Sequence, residues 1–256
     1  MARLEDYQNR FQYARFERED GILQMTLHSD GDTLQWGAGP HSELPEVFHT
    51  VGTDVENKVI IMTGAGAGFT GPAGSSDTVP RRTPEQWDST YWEGKHLLGN
   101  LLNIEVPIIA AINGPALRHS ELPLMSDIVL AAPHTTFQDS GHFMSGLTPG
   151  DGMHIIYPLL LGLNRGRYFL LTGQLLDAAK AQEFGLVAEV LPSDELLPRA
   201  WELARQLAAQ PRLVLRYSRV LLTQKLRGEL HDLLGYGLAL EGLGSAQDYL
   251  DRGQGR

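Results

Sequence analysis

The chain has 256 residues, no cysteine, a formal net charge of −10 and an apolar content of 42%. Disulfides and thiolate metal sites are therefore excluded, and the acidic balance weighs against a general nucleic-acid or anionic-membrane surface. No apolar run approaches a membrane span, and residues 1–20 lack the apolar stretch of a secretory signal, so the expectation is a cytoplasmic protein.

The length suits one large α/β unit, read as a core over 1–195 carrying the active site and a helical region over 196–256. In chain order, GILQMTLH (21–28) and KVIIMTG (58–64) read as strands, rich in Ile, Val and Thr. Residues 42–50 between them suit a short helix. Residues 64–90 are dense in Gly, Pro and Ser and predict a long functional loop. Pro84 suits a helix start, and Trp87, Tyr91, Leu97, Leu98, Leu101 and Leu102 carry the helical spacing to about residue 103. VPIIAAIN (106–113) and DIVLAA (127–132) suit strands buried on both faces of a parallel sheet. VAEVL (187–191) predicts a further strand. Helices are expected over 194–209, 212–223 and 229–249.

GAGAGF (64–69) follows a strand but lacks the G-x-G-x-x-G spacing and leads into a proline-containing loop, against a dinucleotide site. The Walker pattern and the G-x-S-x-G elbow are absent, so neither a phosphate loop nor a serine nucleophile is supported. Nine histidines show no H-x-x-x-H or similar spacing, and no metal is expected. The segment 138–157, QDSGHFMSGLTPGDGMHIIY, sets His142, Asp139 and Asp151 among small residues. Asp151 precedes an apolar run that suits a helix, whose N-terminal field favours an ionised carboxylate. Asp139 and Glu121 are expected to bond nearby backbone. His41, His49 and His134 lack a partner pattern, and His154 suits the surface.

Six phrases occur together and in order: KVIIMTGAGAGF, VPIIAAINGPAL, SDIVLAAPHTTF, GLTPGDG, GRYFLLTG and AKAQEFGLVAEVLP. Together they resemble the crotonase (enoyl-CoA hydratase/isomerase) superfamily over about residues 20–222. The resemblance implies a spiral of ββα repeats and a C-terminal helical region that builds homotrimers, often paired into hexamers.

The departures from that family narrow the expected chemistry. A family enzyme holds a thioester carbonyl with two backbone N–H groups. One matches Ala73 in FTGPAG. The other lies where this chain has Arg118 and His119 in place of glycines. The family's hydratase glutamate aligns with His142, a later small residue becomes Asp151, and the local sequence around Trp36 is acidic where a CoA-contacting base often stands. These changes resemble the β-diketone hydrolase group typified by 6-oxocamphor hydrolase, in the Trp36, His119, His142 and Asp151 segments and also at Glu93 and Glu241. What the resemblance implies is retro-Claisen hydrolysis of a small apolar cyclic diketone with no CoA, no metal and no other cofactor. His142, Asp151 and His119 are the expected catalytic groups, and Trp36, Glu93, Glu241 and Ala73 the substrate-binding ones. His142 would be the general base, with Asp151 on its other ring nitrogen fixing the tautomer. Trp36 and His119 would donate N–H groups to the second carbonyl. The alternatives are an acyl-CoA hydratase or isomerase and, in another class, a non-catalytic binding protein on the same fold.

Overall fold

The computed structural model describes residues 2–71 and 82–253. A short helix α1 (Leu4–Tyr7) leads into β1 (Ala14–Glu19), β2 (Ile22–Leu27), β3 (Leu34–Gln35) and α2 (Ala38–Thr53). Then come β4 (Val59–Gly64), β5 (Thr70–Gly71), α3 (Pro84–Asn103), β6 (Ile108–Ile112), α4 (Glu121–Leu124), β7 (Ile128–Ala131) and β8 (Thr136–Phe137). After a 3-10 turn at Phe143–Ser145 follow α5 (Met153–Leu161), α6 (Leu163–Thr172), β9 (Leu176–Asp177), α7 (Ala178–Glu183) and β10 (Glu189–Val190). The chain closes with α8 (Ser193–Ala208), α9 (Arg212–Leu222) and α10 (Gln224–Gly253). Among the described residues no helix is long and apolar enough to cross a membrane.

The main sheet has the order β1-β2-β4-β6-β7-β10, parallel except for the β1–β2 pair. A smaller layer links β3 to β5 and β8 to β9, and single bridges run from Thr70 to Ala116 and from Ala116 to Phe137. Successive segments thus place one strand in the large sheet, one in the small layer, and then a helix, which is the ββα spiral expected from the family resemblance. Strands β4 and β6 are buried on both faces because helices cover both sides. Their alternate residues divide between two cores. Ile60, Met62, Ile108 and Ala110 face α2 and α3, whereas Ile61, Ile109 and Ala111 face Leu196, Ala200 and Ala204 of α8.

The strands expected at 21–28, 58–64, 106–113 and 127–132 are present, and α3 starts at Pro84 behind a Thr83 capping box. Helix α2 is longer than the short helix expected at 42–50 and contains Pro45. Leu44, Val47, Phe48 and Val51 supply one buried stripe, so tertiary burial overrides the local signals. The last helix likewise begins at Gln224, earlier than expected. Strand β1 escaped the sequence reading because ARFERE is mostly polar. It is an edge strand whose Ala14 and Phe16 turn inward, with Arg18 on the same face paired to buried Asp54, while Arg15, Glu17 and Glu19 face out.

The site is positioned by a close approach of backbone to backbone. The turn ahead of α5 meets α10 so tightly that a Cβ at Gly150 would lie 2.2 Å from the Gly237 carbonyl oxygen and 2.8 Å from Glu241 Cβ. Gly150→Ala should therefore push α10 off the turn and cost about 1–3 kcal/mol, seen as a lower thermal midpoint together with lost activity. Gly99→Ala on α3, where nothing lies within 4 Å, is the control and should hold or slightly raise the midpoint.

Candidate active site

Two loops leave the small layer side by side. Backbone hydrogen bonds from Gln138 to Ala116 and from Ser140 to Leu117 zip the chain after β8 against the chain before α4. His119 and His142 therefore emerge as neighbours. His119 sits at φ +46°, a left-handed conformation that a non-glycine residue adopts only when its surroundings enforce it. His142 precedes the 3-10 turn, and its carbonyl accepts the amides of Ser145 and Leu147. Asp151 lies just before Gly152, the N-cap of α5, which is left-handed at φ +116°. Glu241 reaches in from α10.

The two imidazoles share one carboxylate oxygen. His142 Nε2 lies 3.1 Å and His119 Nε2 3.3 Å from Asp151 Oδ2. The opposite ring nitrogens are held separately, His142 Nδ1 at 2.6 Å from Asp139 Oδ1 and His119 Nδ1 at 2.7 Å from Glu121 Oε1. Glu241 Oε1 stands 3.6 Å from His142 Nε2. All six side chains are buried. The Trp36 ring lies 3.8 Å from the His119 ring, centroid to centroid, and tilted by 32°. His41 stands 6.0 Å from both rings and pairs through Nδ1 with Glu93 Oε2 at 2.7 Å.

Burial works against charge on both histidines, yet the adjacent carboxylates outweigh it. Glu121 and Asp151 raise His119, and Asp151 and Asp139 raise His142 well above its ordinary value. The same pairing, chiefly with His142, overcomes burial at Asp151 and lowers its pKa. At Glu241, 3.6 Å from His142 Nε2, burial outweighs the histidine and pushes the carboxyl up to about 8. The site thus holds ionised Asp151 between two imidazolium-prone rings, with a protonated acid beside them.

Of the residues expected from the sequence, His119, His142, Asp151, Trp36 and Glu241 converge. Glu93 stands at the edge of the group through His41, and Ala73 lies outside the described residues. Three expectations are corrected. Asp151 does not hold the far nitrogen of His142; Asp139 does, and Asp151 takes Nε2. Asp139 and Glu121 bond imidazoles instead of backbone, because the left-handed turn at His119 and the kink at His142 swing each ring back over a carboxylate two or three residues away. His41 has a partner, Glu93, contributed by a different helix and so invisible to sequence spacing. Two sets of donor atoms, His142–Asp151–Glu241 and His119–Glu121–Asp151, lie within 4.8 Å of one another, the first assembled from well-separated segments that no spacing rule would join.

Comparison with known proteins adds the family context. The family profile described as Enoyl-CoA hydratase/isomerase matches residues 17–238. The chain is 30% identical over 197 residues to the 1,2-epoxyphenylacetyl-CoA isomerase of Escherichia coli (strain K12), covering 75% of each protein. It is 27% identical over 228 residues to the hydroxycinnamoyl-CoA hydratase-lyase of Pseudomonas fluorescens, covering 83% of this chain and 79% of that protein. A solved β-diketone hydrolase from the cyanobacterium Anabaena sp. PCC 7120, bound to (S)-3-oxocyclohexyl acetic acid, is 46% identical. It superposes with a TM-score of 0.90 over 94% of this chain and 97% of that one.

Glu241 carries a pH signature. A carboxyl whose pKa rises from 4.5 in the open chain to about 8 on folding takes up a proton as the chain folds. Stability is then lost as pH rises between those values. The raised histidines act in the same direction as pH climbs through their folded values, while the lowered Asp151 matters only at the acid end. The thermal midpoint should fall from about pH 5 to about pH 8, and Glu241→Gln should flatten that fall. Equal slopes in the two proteins would show that Glu241 is ionised in the fold.

Proposed function

The chain belongs to the enoyl-CoA hydratase/isomerase family, and from that premise we propose that it hydrolyses a carbon–carbon bond of a cyclic β-diketone, using neither coenzyme A nor a metal. The observation that carries the reading is the pair of buried imidazoles converging on Asp151 Oδ2. The 46% identity to a β-diketone hydrolase supports it. The ligand in that neighbour is a keto acid. Re-forming the bond between its carboxyl carbon and an α carbon of the ring ketone gives a bicyclic 1,3-dione, the substrate class proposed for this chain.

The chemistry follows from the protonation pattern. The Nδ1–H of His142 donates to Asp139, so the neutral ring carries its lone pair on Nε2, toward the cluster. There it takes a proton from water as the water oxygen attacks one carbonyl carbon. Protonated Glu241, beside the same nitrogen, is a donor for the tetrahedral oxyanion. Collapse breaks the bond between that carbon and the carbon flanked by both carbonyls. A carboxylic acid forms and the electron pair passes to an enolate. Imidazolium-prone His119, with the Trp36 face packed against it, stabilises the enolate oxygen. The proton held by His142 then goes to the enolate carbon, and dione plus water has become keto acid. A CoA-thioester hydratase or isomerase, as in several relatives, is the second reading. The His119 side chain in place of a glycine and an imidazole at the hydratase-glutamate position weigh against it. The exposed apolar residues Leu213, Val214, Tyr217 and Leu221 of α9 support self-association as a homotrimer or hexamer.

The direct test is a substrate comparison. Turnover of a bicyclic 1,3-dione, followed as keto acid released, and none of crotonyl-CoA, is expected; the reverse would overturn the reading. Asp151→Asn should fold normally and lose about 10³- to 10⁴-fold in kcat, because a neutral amide cannot supply the negative charge that stabilises the imidazolium form of both rings. The base form of His142 grows as pH rises through its raised value, while the donor form of Glu241 is lost above about pH 8, so kcat/KM should follow a bell-shaped pH profile. Asp139→Asn removes part of the field that favours the imidazolium, so that rising limb should move to lower pH.

A further inference from the structure

We propose that the cluster is also an inhibitory site for a divalent transition-metal ion, bound by His142 Nε2, Asp151 and Glu241. Four donors about 2.0–2.1 Å from a zinc ion at tetrahedral angles lie roughly 3.3–3.4 Å apart. Asp151 Oδ2 and Glu241 Oε1 stand 3.1 and 3.6 Å from His142 Nε2 and bracket that separation. All three donor atoms lie within 4.8 Å of one another, so rotation of the two carboxylates completes the set.

Three further observations point to a cation. The Nδ1 of His142 is fixed by Asp139 at 2.6 Å, the carboxylate–histidine arrangement that aims an imidazole lone pair at a metal. Asp151 Oδ1 and Glu241 Oε2 are buried without a hydrogen-bond partner among the described residues, so each ligand carboxylate has an oxygen available for a second bond. His119 Nε2, 3.3 Å from the same Asp151 oxygen, stands ready as a further donor. Imidazole with carboxylates and no thiolate suits Zn²⁺, Co²⁺, Ni²⁺ or Cu²⁺ better than Mg²⁺ or Ca²⁺.

The ion would inhibit. It occupies the Nε2 lone pair that the hydrolytic reading, on which the inhibitory sense rests, assigns to the proton of water. Metal binding is regulatory here, and chelation removes nothing that the reaction uses.

Titration of the metal-free full chain with Co²⁺ tests the site without substrate. One equivalent should bind and give the visible bands of a tetrahedral or five-coordinate ion. Glu241→Gln should lose at least tenfold in affinity. Asp139→Asn, which acts through His142, should lose about 10- to 100-fold. Exposed His231, ten residues before Glu241 on α10 and lining a pocket between α10 and α3, serves as the control, and His231→Ala should bind as the parent does. With a bicyclic dione as substrate, stoichiometric Zn²⁺ should abolish turnover and a chelator should restore it. Co²⁺ affinity untouched by Glu241→Gln, or lost in His231→Ala, would overturn the site; activation by Zn²⁺ would overturn the inhibitory sense. An intact Co²⁺ spectrum in a protein that turns over no dione would sink the hydrolytic reading and leave the metal site standing. Circular dichroism of each variant separates ligand loss from unfolding.

Discussion

One carboxylate oxygen, Asp151 Oδ2, accepts from two buried imidazoles, and the surrounding architecture serves to keep it there. An aspartate this deep is stable as an anion only beside cations or strong donors. His119 and His142 supply them, and they in turn need Glu121 and Asp139 on their far sides to remain protonated in a dry site. The group is interdependent. Removing Asp151 leaves two rings facing each other across an unfilled acceptor position, and removing either ring leaves a buried carboxylate with half its support. Such networks are costly when incomplete, which accounts for the tight loop geometry that holds this one.

The fold supplies that geometry in a particular way. The small layer zips the segment 116–118 against 138–140, so that two histidines far apart in sequence emerge together. The Gly150 turn presses its backbone onto Gly237, which delivers Asp151 from one side and Glu241 from the other. His119 accepts a left-handed backbone to turn its ring toward Asp151. Where relatives in this family are named for CoA thioesters, this chain puts side-chain chemistry into a position that its family resemblance reserves for bare glycine backbone.

Much of the frame is legible in the sequence alone. The buried strands announced themselves as short runs of Ile, Val and Ala, and α3 by Pro84 and its leucine spacing. Strand β1 did not, because an edge strand needs apolar residues on one face only. The chief site residues were legible by resemblance, since His119, His142 and Asp151 depart from a family pattern at positions that matter. Their wiring was not. The bonds of Asp139 to His142 and of Glu121 to His119 depend on backbone angles within a single turn, and the link between His41 and Glu93 depends on how α2 packs on α3. Local spacing carries neither kind of information.

The claim beneath all of this is that one aspartate oxygen serves both rings. Side-chain ¹⁵N NMR of the histidines across a pH titration reads it directly. His119 and His142 should both titrate above the ordinary histidine value, and in an Asp151→Asn protein both should move down together. A downward move in one ring alone, or in neither, would contradict the shared acceptor and the account built on it.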